Sequence, residues 1–261
     1  MKPDSPESPE PFLSIIIPAC NEESRLPQTL ESIRAYAAAR RFTVEVLVVD
    51  DGSRDGTAAA AEQAALKWPA VRLLRNPGNR GKGFSVRHGM LDAAGRVALF
   101  TDADLSAPIE EADLLLQALE SGHDVAIGSR GLRPELIAVH QSWVRETAGK
   151  TFNLLVRAII GLPFRDTQCG FKAFRREGAR AVFSRQQIDG FGFDVEALYL
   201  AQKLGYRIAE VPVRWSHVEG TKVSMFGDSA RMFADLLRIR WLDLQGKYAA
   251  PREKVASAGP R

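Results

Sequence analysis

Two aspartates stand one residue apart after an apolar run, and their type and spacing suit metal-assisted chemistry on phosphate. The run 97–100 is followed by Thr101, Asp102, Ala103 and Asp104. A short apolar run closed by polar residues is typical of a buried parallel strand, and open α/β sheets bind ligands at the carboxyl ends of such strands. Mg²⁺ prefers one or two carboxylates together with substrate phosphate oxygens. The pattern predicts a site for Mg²⁺ or Mn²⁺ on Asp102 and Asp104, with a solvated turn as the alternative.

Polar residues follow three other apolar runs at the same kind of position. The runs 12–17, 44–49 and 124–127 lead, in turn, into Pro18-Ala19-Cys20-Asn21-Glu22, Asp50-Asp51-Gly52-Ser53 and Gly128-Ser129-Arg130. Parallel strands joined by right-handed crossovers bring their carboxyl ends to one edge of a sheet. We therefore expect these clusters to face one crevice suited to a nucleotide. Turn formation and helix capping are the alternative roles.

Three cations are candidates for binding phosphate groups in that crevice. Lys82 lies in a basic, glycine-rich segment that is not a P-loop, because Gly83 follows the lysine where Ser or Thr would hold Mg²⁺. Arg130 ends the fifth apolar run, where its guanidinium could clamp a diphosphate through two hydrogen bonds. Lys222 lies in a glycine-containing loop. Ordinary surface charge is the alternative role for each of them.

Acidic residues in the second half of the chain are candidates for the acceptor side of a transfer reaction. They are Asp166, Asp194 and Glu196, of which Glu196 could equally be an ordinary residue on a helix face. The four histidines show no metal-binding spacing such as HExxH. Asp104, Arg130, Asp166 and Asp194 are the predicted catalytic residues, with a structural role as the alternative for the last two.

Apolar runs alternate with segments of helical periodicity, and this alternation predicts the elements that position the candidates. Strands are predicted at 12–17, 44–49, 71–74, 97–100, 124–127 and 207–215, helices at 26–40, 57–67, 84–94, 108–120, 143–160, 195–204 and 226–248, a loop at 132–139, and a turn or short strand at 166–172. Strands alternating with helices at this spacing indicate βαβ units and a mostly parallel α/β sheet.

The same pattern predicts one catalytic domain between two tails. The domain is expected at 12–248, with a nucleotide-binding half at 12–130 and an acceptor half at 131–248. The segment 1–11 is rich in Pro, Ser and Glu, so we expect it to be disordered and to be neither a signal peptide nor an anchor. The segment 249–261 is expected to be a second tail.

Composition narrows the class of protein. The chain has 261 residues, of which 45% are hydrophobic and 26% charged, as in ordinary globular proteins. The net charge of +3 is small, so no nucleic-acid partner is expected. The two cysteines form no CxxC pair, which favours a reducing compartment over a disulfide or zinc framework. No apolar stretch of about 18 residues is present, so we expect no membrane-spanning helix.

The order of these clusters resembles the family 2 inverting glycosyltransferases with the GT-A fold, an α/β/α sandwich with a mostly parallel central sheet. Within that family the chain is similar to the dolichyl-phosphate β-glucosyltransferases and, more distantly, to the dolichyl-phosphate mannosyltransferases. The matching segments are PACNEE from Pro18, VVDDGS from Val48, NRGKG from Asn79, DAD from Asp102, GSR from Gly128, RDTQCGFK from Arg165, FDVE from Phe193 and EGTK ending at Lys222. RDTQCGFK is the specific one, whereas DDGS and DAD mark only the broad family.

The resemblance implies roles for individual residues. Base and ribose would be held by Pro18, Cys20, Glu22, Val49 and Asp51, with Ala19, Asn21 and Lys82 also at the nucleotide-sugar site; ribose, diphosphate and metal would be held by Asp102, Ala103 and Asp104, and phosphates by Arg130 and Lys222. Two positions depart from the mannosyltransferases. Ser106 stands where they have a glutamine that binds the metal, and Ser216 or His217 stands where they have an arginine.

The activity implied by the resemblance is a metal-dependent, inverting transfer of a hexose to a polyprenyl phosphate, with UDP-glucose as the favoured donor. The acceptor phosphate is ionised at neutral pH and does not require a general base. The alternatives are a GDP-mannose-dependent mannosyltransferase, a transferase with a soluble saccharide or protein acceptor, a nucleotidyltransferase, and a non-catalytic nucleotide-sugar-binding module. The absence of GxGxxG after the first strand argues against a dinucleotide-dependent oxidoreductase.

A lipid acceptor requires contact with a membrane surface. The segments 152–164 and 226–248 mix aromatic residues with Arg and Lys, as do amphipathic helices that lie in the membrane interface. Core packing with a solvated basic face is the alternative. The expected location is cytoplasmic, peripheral at the cytoplasmic face of a membrane.

Overall fold

A mixed sheet of seven strands forms the centre of the fold in the computed structural model, which describes residues 10–139, 142–218 and 227–249. In chain order the strands are β1 (Leu13–Ala19), β2 (Val44–Asp50), β3 (Val71–Arg75), β4 (Val97–Phe100), β5 (Val125–Ser129), β6 (Ile137–Val139), β7 (Lys172–Arg175), β8 (Ile208–Pro212) and β9 (Trp215–Ser216). The large sheet has the order β3-β2-β1-β4-β7-β5-β8, and β6 pairs with β9 apart from it. The pairings β3-β2, β2-β1, β1-β4 and β5-β8 are parallel, as expected.

Helices cover both faces of this sheet. They are α1 (Leu26–Ala38), α2 (Thr57–Lys67), α3 (Lys82–Asp92), α4 (Ala112–Glu120), α5 (Trp143–Ile160), α6 (Arg176–Phe183), α7 (Phe193–Lys203) and α8 (Gly227–Leu244), with 3₁₀ turns at Ile109–Glu111 and Pro134–Leu136. Ile15 and Ile17 pack with α1, α2 and α4 on one face, whereas Ile16 packs in the cluster that α3 and α5 to α8 build on the other. Both faces of the sheet are therefore buried, which explains why the sequences of its strands are continuous apolar runs. The predicted α/β/α sandwich is confirmed.

Pro18 was predicted to follow the first strand, but the structure places it within that strand. It lies inside β1, opposite Val49 of β2. Backbone groups of alternate residues point to alternate neighbours in a sheet, and Ile16 O already accepts from Thr101 N beyond the end of β4. The missing N–H of Pro18 therefore faces the side on which β4 has ended, so the proline costs no ladder hydrogen bond.

The second half of the chain departs further from the prediction. Strand β7 begins only at the last residue of the turn or short strand predicted at 166–172, and it runs antiparallel between β4 and β5. The predicted loop 132–139 contains β6, and the predicted strand 207–215 is divided into β8 and β9. Helix α6 had no counterpart in the prediction. Because β7 and β8 complete the sheet that β1 begins, the predicted nucleotide-binding and acceptor halves share one sheet.

Glu196 holds the C-terminal turn to the loop that precedes α7. Its side chain is fully buried and accepts hydrogen bonds from Tyr248 Oη at 2.6 Å, Gln187 N at 2.8 Å and Ile188 N at 2.9 Å. Burial raises the pKa of Glu196, although these three hydrogen bonds oppose the shift. This environment supports the structural role of Glu196 over the acceptor-side role.

Replacing Tyr248 by phenylalanine is expected to lower the free energy of unfolding by about 1–2 kcal/mol, because a buried carboxylate loses one of three donors. Urea unfolding followed by circular dichroism measures the change. Tyr206→Phe is the matched control, since the Tyr206 hydroxyl makes no hydrogen bond to any of the residues that the structure describes. Equal losses in the two variants would contradict the assignment of Glu196 and Tyr248 as a stabilising pair.

Candidate active site

A cleft of about 950 Å³ opens at the carboxyl ends of β1, β2 and β4. We call it the strand-end cleft. The predicted residues that line it are Pro18, Ala19, Cys20, Glu22, Asp51, Lys82, Asp102, Ala103 and Asp104. These residues come from four separate segments of the chain, and the parallel order of the strands brings them together.

Three other residues predicted for the nucleotide-sugar site, Val49, Asn21 and Arg130, do not line the strand-end cleft. Val49 is buried within the sheet, and the Asn21 side chain accepts a hydrogen bond from Arg54 N at 2.8 Å, which fastens it to the turn after β2. Arg130 borders a neighbouring cavity. Lys222 lies outside the described residues.

The Asp51 carboxylate organises the loop that leads into α3. It accepts hydrogen bonds from Asn76 Nδ2, Arg80 N and Gly81 N, each at 2.8 Å. Gly81 has φ 101, a backbone conformation that favours glycine, and a Cβ there would lie 2.5 Å from Asp189 O. Asp51 thereby positions Lys82, the first residue of α3, over the strand-end cleft. A carboxylate offers about four acceptor positions, so Asp51 keeps capacity for one further donor.

Asp102 lies between a cation and a glycine. Lys82 Nζ is 2.5 Å from Asp102 Oδ1, and the two side chains are 21% and 36% exposed. On the other side, a Cβ on Gly170 would lie 2.3 Å from Asp102 Oδ2, so no larger residue fits there while the carboxylate keeps its place. Burial lowers the pKa of Lys82, but the charges of Asp102 and Asp194 outweigh this effect and raise it. Lys82 is therefore a cation at neutral pH.

Asp104 is fixed by the turn that follows it. Its Oδ1 accepts a hydrogen bond from Ser106 N at 2.9 Å, and Leu105 between them has φ 47, which is uncommon for a residue with a branched side chain. Asp102 and Asp104 are thus two carboxylates on the floor of one cleft. No group of three or more His, Cys, Asp and Glu side chains suited to a metal occurs among residues 10–139, 142–218 and 227–249. Two carboxylates fit Mg²⁺ or Mn²⁺ that completes its shell with phosphate oxygens and water.

Arg130 and Asp166 form a paired unit beside the strand-end cleft. Arg130 Nε donates to Asp166 Oδ2 at 2.6 Å, a terminal nitrogen donates to Oδ1 at 2.9 Å, and the Arg130 backbone N donates to Oδ2 at 3.0 Å. The guanidinium also lies 5.3 Å from the centre of the Trp215 ring. Burial alone would raise the pKa of Asp166, but the charge and hydrogen bonds of Arg130 bring it down to about 2. Asp166 is therefore ionised and held by Arg130, an environment that suits an orienting or structural role.

A second cavity of about 610 Å³ adjoins this pair. We call it the basic cavity, because its lining includes Arg130, Lys150, Arg157 and Arg165. The acids in its lining are Glu146 and Asp166, and the second of these is neutralised by Arg130. Apolar side chains, among them Leu154 and Trp215, complete the wall. A pocket with several cations and an apolar wall suits an anion that carries a hydrocarbon group.

Comparison with known proteins decides the family. Residues 14–183 match the model of the family described as Glycosyl transferase family 2. The chain belongs to glycosyl transferase family 2. This match spans β1 to α6 and includes the part of the strand-end cleft between Pro18 and Asp104, with the Asp102 and Asp104 pair, and the Arg130–Asp166 unit. This family 2 protein is therefore an enzyme that transfers glycosyl groups.

Individual relatives extend the similarity over almost the whole chain. A dolichyl-phosphate beta-glucosyltransferase from Drosophila melanogaster is 41% identical, over 98% of this chain and 81% of the relative. The corresponding protein of Homo sapiens is 38% identical, over 93% of this chain and 79% of the relative, and that of Dictyostelium discoideum is 36% identical, over 90% and 76%. The predicted resemblance to dolichyl-phosphate β-glucosyltransferases is confirmed.

Solved structures support the fold. A glucosyl-3-phosphoglycerate synthase from Mycobacterium tuberculosis, in complex with Mn²⁺, UDP and glucosyl-3-phosphoglycerate, superposes with a TM-score of 0.64 at 19% identity, covering 93% of this chain and 82% of that one. Its complex with phosphoglyceric acid alone gives a TM-score of 0.66 at 20% identity, over 88% and 80%. At such low identity the likeness establishes the GT-A fold alone, as predicted.

Asp194 of this glycosyltransferase lies behind the strand-end cleft and is not part of its lining. It pairs with Lys172, whose Nζ lies 2.5 Å from Asp194 Oδ1 and donates to Cys169 O at 2.6 Å. Both side chains are buried. Burial raises the pKa of Asp194, while the charges of Lys172 and Lys82 lower it. The geometry supports the structural alternative for Asp194, in which it fixes β7 against α7.

The wall opposite β1 was not foreseen from the sequence. It is formed by Ile188, Asp189, Gly190 and Phe191 before α7 and by Arg231, Met232, Ala234, Asp235 and Arg238 of α8. A Cβ on Gly192 would lie 2.5 Å from Asp235 Cβ, so the loop and α8 are in close contact. The spacing of Arg231, Asp235 and Arg238 at i, i+4 and i+7 places them on one helix face, and this pattern could have indicated a second polar face.

Proposed function

We propose that this enzyme transfers glucose from UDP-glucose to a polyprenyl phosphate of the dolichyl type, with inversion at the anomeric carbon and with Mg²⁺ or Mn²⁺ as cofactor. The observation that carries the proposal is the juxtaposition of two sites. The strand-end cleft has the Asp102 and Asp104 carboxylates on its floor, and the basic cavity with Arg130 lies beside it. The two linings touch where Gln168 Nε2 of the basic cavity donates to Met232 Sδ of the strand-end cleft at 3.8 Å. The similarity to proteins named dolichyl-phosphate beta-glucosyltransferases supports the choice of sugar and acceptor.

The donor occupies the strand-end cleft in this proposal. The base and ribose bind to Asp51 and to the segment from Pro18 to Glu22 at the end of β1. Lys82 contacts the diphosphate. Asp102 and Asp104 would hold the metal, which supplies Lewis-acid stabilisation of negative charge on the departing diphosphate. Arg130 adds a fixed positive charge near the same phosphates. Such preorganised charge is usually the largest single contribution to catalysis.

The acceptor phosphate occupies the basic cavity, with its lipid along the apolar wall that Leu154 and Trp215 contribute to. An oxygen of this phosphate forms the new bond to C1 of glucose while the bond from C1 to the diphosphate oxygen breaks, and the electron pair leaves with UDP. The attacking oxygen is already ionised near pH 7, so no base has to remove a proton. Asp166 is paired with Arg130, and Asp194 is paired with Lys172. These ion pairs agree with a reaction that needs no general base.

Transfer of label from UDP-glucose and GDP-mannose, in parallel, to a polyprenyl phosphate tests the proposal. Labelled lipid is measured in the organic phase, with and without Mn²⁺, and the released nucleotide is identified. Metal-dependent label from UDP-glucose, with release of UDP, is the expected result. Label from GDP-mannose alone would make the enzyme a mannosyltransferase. UDP release without labelled lipid would indicate a soluble acceptor, pyrophosphate release a nucleotidyltransferase, and donor binding without turnover a binding module.

We propose further that α5 and α8 hold the enzyme at the cytoplasmic face of a membrane. The described part of the chain contains no helix that is both long and apolar enough to cross a bilayer. The two helices pack against each other, and both bury one apolar side, as Val156 and Leu236 illustrate. Their outer sides nevertheless expose Trp143, Val144 and Leu154 on α5 and Phe233, Leu237, Trp241 and Leu244 on α8. Exposed aromatic and aliphatic residues among basic ones are typical of helices that lie in the membrane interface.

Replacing Trp143 and Trp241 together by glutamate is expected to weaken binding to anionic vesicles about tenfold or more, because two large apolar side chains no longer enter the interface. Flotation with vesicles of phosphatidylcholine and phosphatidylserine measures the bound fraction. Leu66→Glu on α2 is the control, since Leu66 is 79% exposed on the opposite face of the sheet. Equal binding of wild type, double variant and control would contradict the membrane-facing role of α5 and α8.

A further inference from the structure

The ammonium of Lys82 lies against a carboxylate that the proposed metal would use. Lys82 Nζ is 2.5 Å from Asp102 Oδ1, and both residues line the strand-end cleft. A carboxylate in contact with a cation is a poor ligand for a second cation, because like charges repel strongly where solvent is partly excluded. The ion pair and a metal ion therefore compete for Asp102.

The charges around this pair nearly cancel. The carboxylates of Asp102, Asp104 and Asp194 act on Lys82, and Asp194 is already paired with Lys172. These three carboxylates and two ammonium groups, of which Asp194 and Lys172 lie directly behind the cleft, carry a net charge of −1. Such a site attracts a dication only weakly until further negative charge arrives, and a bound diphosphate is the natural source of that charge.

The backbone around the Lys82–Asp102 pair is held in place, so the lysine side chain is the part that can move. Asp51 holds the segment before Lys82 through Arg80 N and Gly81 N. A Cβ on Gly83 would lie 2.6 Å from Ile188 O, so α3 begins in close contact with the opposite loop. The Asp102 carboxylate also lies close against Gly170, which restricts its movement on that side. The lysine stem has four rotatable carbons and can swing its ammonium from Asp102 towards a phosphate.

We propose that Lys82 couples metal binding to donor binding by exchanging one anionic partner for another. Without donor, the ammonium neutralises Asp102 and keeps metal affinity low. When a nucleoside diphosphate enters, its phosphates take the ammonium, and Asp102 becomes available to the metal. The coupling is reciprocal, so the metal strengthens nucleotide binding by the same factor. This inference rests on the proposed function in one respect, namely that the donor is a nucleoside diphosphate sugar.

Binding of Mn²⁺ alone is the decisive measurement. The electron paramagnetic resonance signal of free Mn²⁺ is titrated against wild type, Lys82→Met and Lys82→Arg in the absence of any nucleotide. Lys82→Met keeps the length of the side chain and removes its charge, and it is expected to bind Mn²⁺ about tenfold more tightly than wild type, whereas Lys82→Arg stays as weak as wild type. An unchanged Mn²⁺ affinity in Lys82→Met would overturn the proposal.

Lys150→Met is the matched control, because Lys150 lines the basic cavity and its loss changes the net charge equally. Its Mn²⁺ affinity is expected to stay within about twofold of wild type. If Lys150→Met tightened Mn²⁺ as much as Lys82→Met, overall charge would explain the effect and the pairing with Asp102 would not. Near-ultraviolet circular dichroism verifies that the variants are folded.

A second titration with UDP separates this proposal from the proposed function. In wild type, UDP is expected to strengthen Mn²⁺ binding by more than it does in Lys82→Met, after correction for Mn²⁺ bound to free UDP. Equal strengthening in the two proteins would overturn the coupling. Failure of wild type to bind UDP at all would instead remove the proposed donor, while the titration with Mn²⁺ alone would still decide whether Lys82 screens Asp102.

Discussion

Replacing Asp104 by asparagine is expected to lower kcat for glucose transfer on the order of 10³-fold, the size of effect seen when one stabiliser of transition-state charge is removed. Asparagine has nearly the same shape and can still accept a hydrogen bond from Ser106 N, as Asp104 does at 2.9 Å. The variant removes the negative charge that the metal requires and leaves the turn at Leu105 in place. Initial rates measured over a range of Mn²⁺ and UDP-glucose concentrations determine kcat and both KM values.

Asp92→Asn is the matched control for Asp104→Asn, because Asp92 pairs with Arg72 on the surface, away from the strand-end cleft. It is expected to retain wild-type rates, since exposed ion pairs contribute little. Rates within tenfold of wild type in Asp104→Asn at every Mn²⁺ concentration, limiting ones included, would contradict the assignment of Asp104 to the metal. A loss of rate that excess Mn²⁺ restores would assign Asp104 to metal affinity instead of charge stabilisation.

The donor side of the site was predictable because it depends on local pattern and general topology. Strands β1, β2 and β4 appear as short apolar runs, and each is followed at once by polar residues. Helix α2 and strand β4 were predicted at the bounds that the structure has. Right-handed crossovers between parallel strands then require that the residues following these strands meet at one edge. Asp51, Asp102 and Asp104 could be brought together by this reasoning with no knowledge of any long-range contact.

The acceptor side was less predictable because its contacts join residues far apart in sequence. Strand β7 has only four residues, and its Lys172 is buried only because Asp194, 22 positions later, supplies the opposite charge. Nothing in the local sequence marks a lysine as buried. The prediction therefore ended with a turn or short strand at 166–172, and the antiparallel insertion of β7 between β4 and β5 could not be foreseen.

The sequence also did not predict that α8 both packs in the core and lines the strand-end cleft. Its apolar residues predicted an amphipathic helix, for which core packing and membrane contact were both open. The structure buries Leu236 and Ile239, exposes Leu237 and Trp241, and turns a third face with Asp235 towards the strand-end cleft. The helical periodicity of apolar residues defines only one hydrophobic direction, so it cannot distinguish a buried face, a membrane-facing face and a face that lines the cleft.

Asp166→Asn is expected to lower kcat/KM for the acceptor about 10²-fold by releasing Arg130, without a change in the shape of the pH–rate profile. The two oxygens of Asp166 hold the guanidinium at 2.6 and 2.9 Å, and asparagine offers only one oxygen and no charge. The pKa of Asp166 is about 2, so it is ionised throughout the usable pH range and cannot produce an acidic limb in the profile. Loss of an acidic limb in the variant would instead identify Asp166 as a general base.

The same pKa predicts how the pair affects stability. A carboxylate whose pKa is lowered on folding stabilises the protein above its unfolded pKa, here 3.8, and this contribution disappears as pH falls towards 2. A shift of this size corresponds to about 2 kcal/mol. The free energy of unfolding should therefore differ between wild type and Asp166→Asn at pH 7, and the difference should shrink below pH 4.

Chemical rescue of Arg130→Ala tests whether Asp166 positions the guanidinium group, in a variant that retains Asp166. Arg130→Ala leaves Asp166 facing a space that a free guanidinium ion can enter, and millimolar guanidinium is expected to restore about a tenth of the lost activity if two hydrogen bonds and charge are enough to orient it. Methylammonium should restore less, since it lacks the planar pair of donors. The double variant Arg130→Ala, Asp166→Asn should not be rescued at all, because the carboxylate that would dock the ion is gone. Equal rescue of the single and double variants would mean that Arg130 is oriented by other groups, and Asp166 would then be left with a purely structural role.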